Sequence, residues 1–184
     1  MTATAPERYD PVARALHWGM AAAIMAIWVV GHMIDALPKG AMRTEVVGLH
    51  KSIGVVMLAL VLGRLAWRVA RPQPPLPNSM PMRERLTAQL GHITLYILML
   101  AIPIDGILMS QSAGREVAVF GLALPTMVAK NDGLREAFKA GHGLLGWVLA
   151  LVLAGHVVAV LRHHLILKDE ILHRMLPGRS PFRS

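Results

Sequence analysis

The 184-residue chain contains no cysteine. That excludes disulfides, iron–sulfur clusters, thiolate zinc sites and haem attached covalently through a C-x-x-C-H motif. Charge is scarce over four long stretches, about 16–37, 48–70, 91–110 and 143–162, each strongly apolar. A polar stripe is missing too. A soluble helical bundle needs one on every helix, and LHWGMAAAIMAIWVVGHMI has none. No internal repeat interrupts the chain, so residues 1–184 read as one domain.

What is present instead is membrane length. Each apolar stretch approaches or exceeds the roughly 20 residues needed to cross a bilayer. The fold class expected is therefore all-α, a transmembrane four-helix bundle with helices at about 15–37, 47–70, 84–110 and 142–164. The first of these is too long for the apolar core of a signal peptide, so it is read as retained. RPQPPLPNSMP, between the second and third helices, cannot be helical. Pro103 and Gly106 allow a kink in the third. The loop 111–141 contains DGLREAFKAGHG, read as a short surface helix leading into the fourth span. LILKDEILHRMLPG, in the tail 165–184, reads as an amphipathic interfacial helix.

The net charge of +8 is read as topology, not nucleic-acid binding. Arg8, Arg14, Arg64, Arg68, Arg71, Arg83, Arg85, Arg162, Lys168, Arg174, Arg179 and Arg183 lie on one side of the four spans. Lys39, Arg43, Lys51, Arg115, Lys130, Arg135 and Lys139 lie on the other. Twelve against seven puts both termini in the cytoplasm.

Five histidines occupy or border the apolar spans: His17, His50, His92, His142 and His156. An ionisable ring at that depth is costly and usually functional. His142 and His156 are 14 residues apart, nearly four turns, so they share a helix face about 21 Å apart along the axis. By depth, His50 pairs with His142 on the outer side and His17 with His156 on the inner. Each pair supplies two axial nitrogens for a non-covalent b-type haem. Glycines at 48, 141, 143, 146 and 155 let a flat macrocycle approach the backbone. His32 is a rival outer ligand, ranked below His50 because it sits about 60° off the face of His17. His92 and His163 are candidates for contacts to propionates or a quinone head group, with a snorkelling interfacial ring as the alternative for each. His164 and His173 read as surface residues. A zinc or copper carrier is the competing class, since imidazole suits those metals. Transport sites usually add in-helix carboxylates, whereas Asp35 and Asp105 are read as lying near helix ends.

Motifs along nearly the whole chain then point to a family. ERYDPVARALHW, VVGLHKSIG, LGHITLY, VFGLALP, KAGHGLLGWVLALVLAGH and HHLILKDEILHRMLPG resemble the bacterial cytochrome b561 family, and within it the small stand-alone members that oxidise superoxide. The resemblance implies two non-covalent haem b groups, with axial ligands falling on His17, His50, His142 and His156. It places a quinone or propionate contact on His163. It also implies an inner-membrane, multi-pass superoxide:ubiquinone oxidoreductase, taking an electron from superoxide outside and reducing ubiquinone inside. A bis-His iron has no open position, which favours outer-sphere electron transfer.

Lys39, Arg43, Lys51 and Arg115 head the outer basic residues that could steer an anion such as superoxide. Seven cations there face Glu45, Glu116, Asp132 and Glu136, a modest excess. Arg64, His92 and His163 are the expected quinone-side residues. The alternatives are a carrier between quinol and a periplasmic redox protein, and the divalent-metal transporter.

Overall fold

A computed structural model describes residues 6–77 and 80–177. Arg179 and Arg183, counted above as cytoplasmic charges, lie outside the described residues, as do Asn78 and Ser79 of the Pro-rich linker. Among the described residues the regular structure is helical apart from one small hairpin. Its elements are α1 (Pro11–Ile34), α2 (Ala41–Ala70), α3 (Met82–Ser112), β1 (Ala118–Val119), β2 (Leu122–Ala123) and α4 (Asp132–Arg162). All four helices are long and apolar enough to cross a membrane, α4 together with the π-turn that follows it.

Local chemistry sets the ends. Asp10 caps α1 by accepting from the backbone N–H groups of Val12 and Ala13, and Pro11 fills the first helical position. Arg71 leaves α2 in an extended conformation, as the residue before Pro72 is biased to do. Pro103 lies inside α3.

Two expectations are corrected here. The fourth helix does not start at 142. Asn131 caps it by accepting from the Leu134 N–H, so DGLREAFKAGHG is the continuous first third of α4. The tail is not an amphipathic helix. Past Arg162 the helix widens into a π-turn, His163–Leu167, and Lys168 stops it with φ 53°. Asp169 then accepts from the Ile171 N–H, and the chain turns back over the start of α1. Tyr9 N–H donates to the Arg174 carbonyl at 3.2 Å, and Trp18 Nε1 to that of Met175 at 2.9 Å. Arg8 and Arg14 both donate to the Leu176 carbonyl. The beginning of α1 and the end of α4 therefore share one end of the bundle, here the terminal end.

The opposite end is covered by the 113–131 segment, within which β1 and β2 pair antiparallel. Phe120 and Gly121 form the two-residue turn, both at positive φ (47° and 91°), the geometry that suits a hairpin's twist. Ser52 on α2 holds this hairpin by donating to the Ala118 carbonyl and accepting from the Phe120 N–H. Gln111 holds the rest of the segment, donating to the Pro125 carbonyl and accepting from the Met127 N–H.

Close helix packing runs in chain order: α1 on α2, α2 on α3, α3 on α4. The buried core is a waist of two small clusters, Met20–Met57–Val61 and Leu95–Leu98–Leu149. Large apolar side chains elsewhere, such as Met25, Leu62, Ile97 and Leu151, face outward, the pattern of helices solvated by lipid.

Candidate haem sites at the two ends of the bundle

The waist separates two histidine groups. Leu149 stands two turns from His142 and two turns from His156, and Met57 stands two turns from His50. At the terminal end, α1 contributes His17, α2 Arg64, α3 His92 and α4 His156. At the hairpin end, α2 contributes His50, α4 His142, α1 Gly31 and α3 the pair Asp105–Gly106. Each end thus draws on all four helices.

The rings of His17 and His156 have centroids 6.3 Å apart, and those of His50 and His142 6.2 Å. Two metal–imidazole bonds of about 2 Å each, extended by the half-width of each ring, require centroids roughly 6 Å apart. Both pairs join helices that are not neighbours in the packing series, so facing rings rather than backbone span the distance between them. The Nδ1 atoms of His50 and His142 are buried and accept or donate no hydrogen bond. Glycines make room for the same two rings: a β-carbon at Gly31 would stand 3.1 Å from His50 Cε1, and one at Gly106 3.0 Å from His142 Cε1. Ring spacing fits a bis-histidine haem site at each end, and at the hairpin end the two glycine cradles fit it as well.

The terminal-end site carries more around it. His92 lies 5.5 Å from His156, ring to ring. Arg64 donates from Nη2 to His17 Nδ1 at 2.9 Å and sits 5.8 Å from the centre of the Tyr96 ring. Arg64 also lines a half-open cleft with Tyr9, Trp67, Arg68, Gln73, Tyr96 and Met175. His163 turns from this cleft and meets Asp169, Nδ1 to Oδ2, at 2.5 Å.

His32 does not join the hairpin-end pair. Its ring lies tilted 4.0 Å from that of Trp28 and edge-on 5.0 Å from that of Trp147, and its Nδ1 contacts the Trp28 carbonyl at 2.9 Å. The sequence reading puts Asp105 near a helix end and gives it no part in the site. It lies well inside α3, its side chain only 15% exposed, with Oδ2 3.6 Å from His142 Nδ1. A carboxylate within an apolar span was the signal that could have found it.

The basic residues divide. Arg43 is committed to the turn between α1 and α2, donating to Asp35 and to the Leu37 carbonyl, both at 3.1 Å. Lys51, one residue from His50, donates to the Glu116 carbonyl at 3.3 Å, which brings it beside Arg115 in the chain. Lys39 and Arg115 are exposed. Arg135 pairs with Glu136 at 3.5 Å.

Residues 8–178 match the family described as prokaryotic cytochrome b561. The chain is 36% identical over 178 residues to Cytochrome b561 homolog 2 of Escherichia coli (strain K12), covering 95% of this chain and 94% of that protein. It is 31% identical over 174 residues to the Probable superoxide oxidase CybB of Yersinia pestis, covering 94% of this chain and 98% of that one. Cytochrome b561 homolog 1 of Escherichia coli (strain K12) is 27% identical over 178 residues, 94% and 99% of the two chains.

Proposed function

The chain belongs to the prokaryotic cytochrome b561 family, multi-pass membrane electron-transfer proteins that bind haem b, and from that premise we propose that it is a superoxide:ubiquinone oxidoreductase of the bacterial inner membrane. The observation that carries this is the two facing histidine pairs, one at each end of a bundle of membrane length. His17 with His156, and His50 with His142, would hold a haem at each end, and each haem would supply a one-electron iron couple.

In this reading the hairpin end is periplasmic and the terminal end cytoplasmic, as the Lys and Arg distribution favours. Two superoxide anions give up one electron each and leave as dioxygen. Ubiquinone takes up those two electrons, with two protons, as ubiquinol. His50 and His142 hold the receiving site, and His17 and His156 the delivering one. Lys51, Arg115 and Lys39 supply the positive field that draws a small anion to the hairpin end. The cleft of Tyr9, Arg64, Arg68 and Tyr96 offers a quinone carbonyl donors from guanidinium and phenol groups beside the His17 site. The 31% identical relative from Yersinia pestis bears the name Probable superoxide oxidase, which supports this reading.

One feature favours a second reading. The hairpin tip exposes Phe120 (74%) and Leu122 (77%), the kind of apolar contact a periplasmic redox protein would use. In that case quinol would be the electron donor. The divalent-metal carrier loses its ground: the family is one of cytochromes, and among the described residues no group of three His, Asp or Glu side chains could hold a metal ion.

Stopped-flow mixing of the oxidised, haem-loaded protein with superoxide tests the proposal. Reduction of the Soret and α bands at rates approaching diffusion, with reoxidation only when ubiquinone is added, is the expected result. Slow reduction by superoxide together with fast reduction by quinol would replace it with the second reading.

A further inference from the structure

Of the four candidate ligands, two have an ionic side chain close to Nδ1, and the two ions have opposite sign. At the hairpin end His142 Nδ1 faces Asp105 Oδ2 at 3.6 Å, and both atoms are buried with no hydrogen-bond partner. At the terminal end His17 Nδ1 faces the Arg64 guanidinium at 2.9 Å. Gly141 clears the way for the carboxylate, since a β-carbon there would stand 3.1 Å from Asp105 Oδ1. Gly106, the residue after Asp105, packs on the ring of His142 itself. Carboxylate and ring therefore meet in a fitted contact between α3 and α4.

We infer that Asp105 is a positioning residue that accepts the Nδ1 proton of His142, and that with Arg64 at His17 it makes the hairpin-end site the lower in potential of the two. This rests on the two-site reading above. A histidine ligand that donates Nδ1–H to a carboxylate is held in one tautomer and orientation, and is a more basic ligand. A more basic ligand and a nearby negative charge both favour ferric over ferrous iron. A guanidinium beside the other site favours ferrous. The side chains thus grade the bundle so that an electron entering at His50–His142 runs downhill to His17–His156. That is the direction from superoxide to quinone.

The test is an optical redox titration of the full-length, haem-loaded protein. The component at each end is assigned with His50→Ala and His92-retaining His156→Ala variants. In wild type the hairpin-end component should titrate lower. Asp105→Asn should raise that component alone, changing its ferric-to-ferrous ratio at a fixed potential by about tenfold, a shift of about 59 mV for one electron. Asp105→Glu, which keeps the charge, should restore most of it. Arg64→Gln should lower the terminal-end component.

If Asp105→Asn fails to retain haem, Gly141→Ala displaces the carboxylate without removing it and should give the same upward shift. The inference is overturned if the wild-type order is reversed. It is overturned equally if Asp105→Asn, or Gly141→Ala in its place, leaves the hairpin-end component unmoved, or if Asp105→Glu behaves like Asp105→Asn. Haem stoichiometry, measured beforehand, tests the two-site reading by itself. The titration uses neither superoxide nor quinone, so it can succeed where the stopped-flow experiment fails.

Discussion

Gly106 on α3 packs against His142 on α4 so closely that a β-carbon would stand 3.0 Å from the ring's Cε1 and 3.3 Å from its Nδ1. The glycine is there for the approach of an imidazole, not for backbone freedom, since its conformation is helical. Gly106→Ala should push the ring off its position and cost about 1–3 kcal/mol, the usual range for overpacking. We expect partial loss or spectral shift of one haem and an unchanged second. Gly91→Ala is the control, because nothing lies within 4 Å of a β-carbon there. Equal haem spectra for the two variants would show that the contact is not tight in the loaded protein.

His32 and His50 differ in surroundings, and substitution should separate them. His32→Ala removes a ring in contact with Trp28 and Trp147 and should leave both haem equivalents in place while changing tryptophan fluorescence. His50→Ala and His142→Ala should each lose the hairpin-end haem, and His17→Ala and His156→Ala the other. Pyridine haemochrome stoichiometry on the purified variants decides it. A full complement in His50→Ala with a half complement in His32→Ala would exchange their roles.

Asp10 ties the start of α1 to the end of α2. Besides capping α1, its two carboxylate oxygens accept from Trp67 Nε1–H at 3.1 Å each. Slight burial works to raise its pKa. The Ala13 N–H, the Trp67 ring N–H and the Val12 N–H outweigh that and hold it below the ordinary 3.8. A carboxyl lowered on folding contributes stability that is present above its unfolded value and fades as pH falls through the folded one. Thermal unfolding in detergent should therefore show this contribution intact at neutral pH and lost in acid below pH 3.8. Asp10→Ala should cost about 1 kcal/mol at pH 7, the typical worth of an N-cap, and less at the acid limit, where the neutral carboxyl accepts these hydrogen bonds more weakly. A cost independent of pH would assign the effect to packing.

Lys51 and Arg115 should govern anion capture under the proposed function. Charge steering acts on association rates and is screened by salt, with a Debye length of about 10 Å at 0.1 M. The double variant Lys51→Gln, Arg115→Gln should oxidise superoxide at the same saturating rate of internal transfer but associate with it several-fold more slowly at low salt. The difference should shrink as salt is added. Stopped-flow rates across ionic strength measure this, and parallel salt dependences for variant and wild type would remove these two residues from the steering field.

Much of this molecule was legible in the order of its residues. Four charge-poor stretches of bilayer length dictate four spanning helices, because no water is available inside a bilayer to satisfy an open backbone. His142 and His156 share a helix face because 14 residues close nearly four turns, a property of one helix needing no partner. The depths at which His17 and His50 lie follow from the alternating direction of the spans. Tertiary structure decided the rest, because it depends on which side chains meet across helices. His32 and His50 are both near one end of the bundle, and only packing sends the first to Trp28 and Trp147 and the second to face His142. Asp105 read as a residue near a helix end until α4 placed Gly141 and His142 against it. The tail had an amphipathic pattern, but Lys168 at positive φ and the hydrogen bonds to Arg8, Tyr9 and Trp18 fold it over α1 instead. Periodicity is local and can be counted along a chain, whereas the opposite charges beside the two histidine sites arise only where four helices converge.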